Sequence, residues 1–82
     1  MDKIITLREQ IDIIDNEIMK LLEDRFALSI QIGNRKLKSN INVLDTNREQ
    51  TIIDKASKHN HSPAIESIYR CIMEESKKLQ RK

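Results

Sequence analysis

Arg25, Ser29, Ile32 and Lys36 stand four, three and four residues apart. On a helix, that spacing stacks them on one face across three turns. Arg25 also occupies a position where an apolar seam calls for a hydrophobic side chain, and burying a guanidinium without an anion is costly. Two kinds of partner meet that demand: a Glu or Asp on another helix, in an ordinary ion pair, or a small anionic ligand held between Arg25 and Lys36. A second group, Asp45, Arg48, Glu49 and Ile52, lies at i, i+3, i+4 and i+7 and shares another helical face. Asp45 suits a helix N-terminus, and Arg48 with Glu49 fits a solvated surface equally well. Ser76 and Gln80 are four apart and face one way; taken alone, they carry little information.

Arg8 adds a geometric constraint. It precedes Arg25 by 17 residues, or about 25 Å along a helix rising 1.5 Å per residue. No ligand of metabolite size touches both arginines of one chain. If Arg8 serves the same kind of site, it does so in a second copy whose first helix runs antiparallel.

The elements that must position these residues are helices. The 82 residues include one Gly, one Pro and two aromatic residues, and the dominance of Lys, Leu, Glu, Ile and Arg supports helix best. From Ile4 to Ile32, apolar residues at 4, 7, 11, 14, 18, 21, 28 and 32 alternate three and four apart around Arg25, the period of a long helix with a packed seam. The first helix is predicted from about Asp2 to about Lys38, with Gly33 tolerated inside it at about 1 kcal/mol against Ala. A short loop is expected at 39–42, and a second helix from between Val43 and Asp45 to near Ser57, turning Ile52, Ile53 and Ala56 inward. His59-Asn60-His61 reads as a polar connection. Ser62 and Pro63 read as the N-cap and first residue of a third helix, with Ile65, Ile68, Tyr69, Ile72, Met73 and Leu79 on its apolar side.

Length then bears on assembly. A first helix of some 36 residues is about 54 Å long, whereas a compact chain of this size has a radius of gyration of only about 12 Å. Residues 1–82 make one domain, and the two shorter helices cannot cover the long one. Pairing with a second long helix is the simplest way to bury the rest of its seam.

Several function classes fall away. Basic and acidic residues number 15 and 13, are interspersed and leave a formal net charge of +2. The basic cluster of Lys77, Lys78, Arg81 and Lys82 suits a helix C-terminus, and two aromatic residues offer bases little to stack on. No nucleic-acid partner is expected. Neither a signal peptide nor an apolar run of membrane length is visible. The lone Cys71 cannot form an internal disulfide and lies in an apolar helical stretch, so it reads as a core or near-core thiol in a reducing compartment. The cytoplasm is the expected location. His59, His61 and Cys71 match no standard zinc spacing, so no metal or cofactor is expected. Ser-His-Asp chemistry lacks a nucleophile elbow and an oxyanion glycine.

Five segments carry a resemblance. They are Leu7-Arg8-Glu9-Gln10-Ile11-Asp12, Leu22-Glu23-Asp24-Arg25, Gly33-Asn34-Arg35-Lys36, Asp45-Thr46-Asn47-Arg48-Glu49, and Glu74-Glu75-Ser76 through Gln80. In this order and at this spacing, over nearly the whole chain, the sequence resembles the all-helical class of chorismate mutase. The resemblance implies an all-α fold of three helices per chain with a long first helix, intertwined in a homodimer with two shared active sites. It also implies the rearrangement of chorismate to prephenate in Phe and Tyr biosynthesis, without cofactor or covalent intermediate.

By the same resemblance, Arg25 clamps one substrate carboxylate and Arg8 of the second copy clamps the other. Lys36 reaches a carboxylate and the ether oxygen, Gln80 donates to that oxygen, and Ser76 assists at a carboxylate. Glu49, with Asp45, receives the ring hydroxyl. Arg48 helps fix the site, and Ile32 and Met73 wall the ring. Ser29 departs from the family pattern, standing where small apolar residues are common. An isochorismate pyruvate-lyase on the same fold is the nearest rival, but it lacks the carboxylates that Asp45 and Glu49 supply. An amino-deoxychorismate mutase differs by one polar contact at the substrate. A non-catalytic helical partner of another shikimate-pathway enzyme would have no use for a complete set of site residues, although association with such an enzyme is compatible with catalysis.

Overall fold

The computed structural model describes residues 3–39 and 45–81 and is helical apart from turns and caps. Helix α1 spans Lys3–Ser39, α2 spans Thr46–Ala56 and α3 spans Ser62–Gln80. The expected start at Asp2, the loop at 40–42 and the alternative α2 start at Val43 lie outside the described residues. Ser39, placed in the loop by sequence, is the last residue of α1.

Each boundary has a local cause. The 37 residues of α1 contain no proline and end with Lys36 and Lys38 in the last turn, where positive charge suits the helix dipole. Asp45 caps α2: its backbone is extended at φ −131° and ψ 90°, and its carboxylate accepts a hydrogen bond from the Arg48 N–H at 3.0 Å. That satisfies one of the amide groups a helix start leaves over. Helix α2 closes at Ser57, whose N–H bonds back to the Ile53 carbonyl, while the Lys58 N–H bonds to that of Lys55.

The start of α3 differs from expectation. His61, not Ser62, is its N-cap, without a side-chain cap bond, and Ser62 is already helical. The His61 carbonyl accepts from Ile65 N–H at 3.1 Å, so the helical ladder opens one residue early. Pro63 lies in the first turn, where a missing N–H costs nothing.

Helix α3 packs against both α1 and α2, whereas α1 and α2 do not pack on each other. The molecule is thus a flat arrangement measuring 59 × 24 × 13 Å, with a radius of gyration of 16.1 Å. Its least dimension is near the width of a single helix, about 10–12 Å. A compact chain of equal length would have a radius of gyration of about 12 Å.

This shape leaves almost no interior. Among the described residues, Ile53, Ala56 and Met73 are the buried apolar ones, and no side chain is fully enclosed. Of residues 3–21 only Asp15 is even partly buried. Seam residues expected to be packed are open in the single chain, from 46% exposed at Ile32 to 63% at Leu21. Cys71, expected in or near the core, is exposed. It lies on the side of α3 opposite Ile72, Met73 and Ser76, which face the other helices; an apolar stretch placed it inside, but the helical period turns it out. Ile68 is also exposed, at 59%.

The one glycine explains how closely α1 and α3 approach. A Cβ on Gly33 would lie 2.5 Å from the Gln80 Cα and 2.6 Å from the Gln80 carbonyl oxygen. Only a residue without a side chain lets the two backbones cross there. What reads in sequence as a tolerated weakness of the helix is the crossing point that sets Gln80 against α1.

Candidate active site

Because α1 and α2 each pack on α3 but not on each other, a cleft remains between them, of about 380 Å³. Helix α1 lines it with Arg25, Leu28, Ser29, Ile32 and Lys36, and the start of α2 with Asp45, Arg48, Glu49 and Ile52. Helix α3 adds Met73, Ser76, Lys77 and Gln80. The side chains that sequence spacing placed on three separate faces therefore meet around one space. The lining carries four cationic and two anionic side chains, an excess of two positive charges.

Arg25 anchors the cleft. Its guanidinium donates to Ser76 Oγ at 2.6 Å, while Ser29 Oγ donates to the Arg25 carbonyl at 3.1 Å. Ser29 and Ser76 are buried, 6% and 5% exposed. Two small hydroxyls thus occupy the space where α1 meets α3, and they hold the arginine at both ends. Among the described residues no carboxylate pairs with Arg25. Of the two partners open to it from sequence, the described residues supply no intramolecular ion pair.

On the opposite wall, Glu49 Oε2 lies 3.2 Å from Lys77 Nζ, which also contacts Glu74 Oε1 at 2.7 Å. The hydrogen bond to Glu74, and after it that to Glu49, raises the Lys77 ammonium above lysine's ordinary value. The hydrogen bond from Lys77 in turn lowers Glu74 below the usual carboxylate value. Gln80 Oε1 is buried and has no hydrogen-bond partner among the described residues. Leaving such an atom unpaired costs about 1–3 kcal/mol; a donor on a ligand relieves it, as does a half-turn of the amide that presents Nε2 to an acceptor oxygen on a ligand. Met73 is buried beneath the cleft, while Ile32 offers a half-exposed apolar edge.

Of the residues singled out in the sequence, Arg25, Ile32, Lys36, Asp45, Arg48, Glu49, Met73, Ser76 and Gln80 all line this cleft. Arg8 does not. It stands on the exposed N-terminal half of α1, about 25 Å of helix away from Arg25. Lys77 and Leu28 line the cleft without having been singled out for it. Sequence makes Lys77 part of a basic helix end, yet it follows Ser76 directly and precedes Gln80 by three, a spacing that makes it a neighbour of Gln80.

A second hollow of about 320 Å³ shares Arg25, Arg48 and Ile52 with the first and continues to Lys55, His59 and Tyr69. No group of three or more His, Cys, Asp or Glu among the described residues is arranged to hold a metal ion. No helix among them is long and apolar enough to cross a membrane.

Comparison with known proteins supplies a context for this cleft. Residues 7–81 match the family described as chorismate mutase type II. A chorismate mutase of Methanocaldococcus jannaschii is 33% identical over 86 residues, which cover 99% of this chain and 87% of that protein. A bifunctional chorismate mutase/prephenate dehydratase of Aquifex aeolicus is 33% identical over the whole chain, and its Escherichia coli K12 counterpart is 31% identical over 89% of it. The chain spans only 25% and 20% of those two longer proteins. No solved structure matches it significantly. With the match running from the first-helix arginine segment to the end of α3, the chain belongs to the type II chorismate mutase family.

Proposed function

We propose that two copies of this chain intertwine, with their α1 helices antiparallel, and convert chorismate to prephenate in two shared clefts. The activity follows from the family; the observation that carries the assignment to this cleft is Arg25, held by Ser76 and unpaired with any carboxylate among the described residues. A part-buried arginine so placed favours an anion in the cleft. The excess of two positive charges in the lining suits a dicarboxylate.

The chemistry required is modest in kind. A flexible dicarboxylate must be held in a compact, chair-like pose while negative charge grows on the ether oxygen of the breaking C–O bond. Positioning and preorganised charge are the available levers, and each tenfold in rate takes about 1.4 kcal/mol of differential stabilisation. Arg25 clamps one carboxylate through its planar fork, with Ser76 beside it. Lys36 and Gln80 face the ether oxygen, where the Gln80 amide presents Nε2 after the half-turn described above. Asp45 and Glu49 take the ring hydroxyl, Arg48 steadies that wall, and Ile32 and Met73 bound the ring. The second carboxylate requires another cation, which Arg8 of the second copy supplies.

Asp45 and Glu49 in the lining favour the mutase over isochorismate pyruvate-lyase chemistry. The reaction places the chain in Phe and Tyr biosynthesis. Because relatives are fused to a prephenate dehydratase, we also propose association with an enzyme that consumes prephenate. The direct test follows the ultraviolet absorbance of chorismate on addition of purified protein and identifies the product. Conversion to prephenate is expected; no turnover, or pyruvate released from isochorismate instead, overturns the assignment.

A further inference from the structure

Lys77 lines the cleft, yet none of the roles above uses it. Its ammonium lies between Glu49 on the cleft wall and Glu74 outside, at 3.2 and 2.7 Å. The contact with Glu49 joins α2 to α3, whereas Lys77–Glu74 and Lys78–Glu75 lie within α3. The Lys77 side chain is 15% exposed, that of Glu49 28% and that of Glu74 62%. Lys77 therefore reaches from the rim to the inner wall with a carboxylate on either side.

An ammonium already shared by two carboxylates is poorly placed to hold a third from a ligand. Its geometric effect falls on Glu49 instead. One Glu49 oxygen is engaged by Lys77, which orients the group and leaves the other oxygen to accept a hydrogen bond from the cleft side. Glu74 holds the ammonium from outside, so Lys77 stays in place when a ligand draws on Glu49.

We propose that Lys77 is a positioning residue: it fixes the Glu49 carboxylate on the cleft wall and so sets the preference for a substrate carrying a ring hydroxyl. This rests on the mutase reading above.

The test compares kcat/KM for chorismate with that for an analogue lacking the ring hydroxyl. Lys77→Met keeps the unbranched stem and deletes the ammonium; Lys77→Arg keeps a charged donor. The expected result is a loss of about tenfold in the preference for the hydroxyl-bearing substrate in Lys77→Met, equivalent to about 1.4 kcal/mol. Lys77→Arg should retain most of the preference. In a Glu49→Gln background, Lys77→Met should remove nothing further, because the two act through one contact. Lys78→Met deletes the same charge from an ammonium outside the cleft and should leave the preference unaltered. A preference unchanged in Lys77→Met, an equal loss on both substrates, or an effect additive with Glu49→Gln would each reduce Lys77 to a tie between helices and overturn the proposal. Absence of turnover in the unaltered protein overturns the mutase reading and this inference with it; an active parent with unaltered preference in Lys77→Met overturns the inference alone.

Discussion

Lys36 stands in the same cleft as Gln80 and Arg25, and its proposed contribution grows as charge develops on the ether oxygen. An interaction made mainly in the transition state lowers kcat when it is removed. Lys36→Ala should therefore lose at least about 100-fold in kcat with an unchanged helical circular dichroism spectrum; a near-normal rate would remove Lys36 from this role. The ion pairs around Lys77 give a separate expectation for stability against pH. Because hydrogen bonds to Glu74 and Glu49 raise the Lys77 pKa on folding, its contribution is fully present below the unfolded lysine value of about 10.4. It is lost as pH rises through the raised folded value. Glu74, lowered by Lys77, contributes above the unfolded glutamate value of about 4.3 and loses that contribution as pH falls through its lowered value. Denaturant titrations of Lys77→Met should accordingly show a flatter stability profile at both extremes than those of the parent.

Among the elements, the crossing of α1 and α3 decides whether the cleft keeps its shape. Gly33→Ala gains about 1 kcal/mol of helix propensity, but the new Cβ would lie 2.5 Å from the Gln80 backbone, against ordinary carbon contacts of about 3.5–4.0 Å. The obstacle is backbone, so α3 must move by about an ångström, a displacement that can cost about 100-fold when it misplaces a reacting group. Overpacking of this kind destabilises by about 1–3 kcal/mol. Gly33→Ala should thus lower both the denaturation midpoint and kcat, and an active, undiminished variant would show that the crossing does not position Gln80. Helix α2 depends on α3 and on its Asp45 cap, which explains why its capping residue also lines the cleft: the cap places the carboxylate where the chain enters the site.

For the whole molecule, the flat shape and open seam of α1 are the dominant facts. The exposed seam from Ile4 to Ile32 represents side chains each worth about 1.5–3 kcal/mol when fully buried, and a second copy is the proposed cover. Sharing of the site has a distinctive consequence. Arg8→Ala and Arg25→Ala chains, each inactive alone, should regain activity when refolded together, because one cleft of each mixed dimer carries both intact arginines. Random pairing in a twofold dimer predicts about one quarter of the parent rate. Failure to complement, with both variants folded, would place Arg8 outside the site.

The three helices, their order and the face shared by Arg25, Ser29, Ile32 and Lys36 were legible in the sequence because helical period and capping chemistry are local. So was the distance between Arg8 and Arg25, since helix rise is the same in every chain. Cys71 and Ser62 depart from expectation because an apolar stretch does not say which way each residue turns, and a good capping residue does not oblige the ladder to begin there. Only the tertiary structure decided that α1 and α2 stand apart on α3 and leave a cleft, that Gly33 admits the Gln80 backbone, and that Lys77 turns from helix end to cleft wall. These depend on how closely helices distant in sequence approach, which the spacing of residues within one helix does not determine.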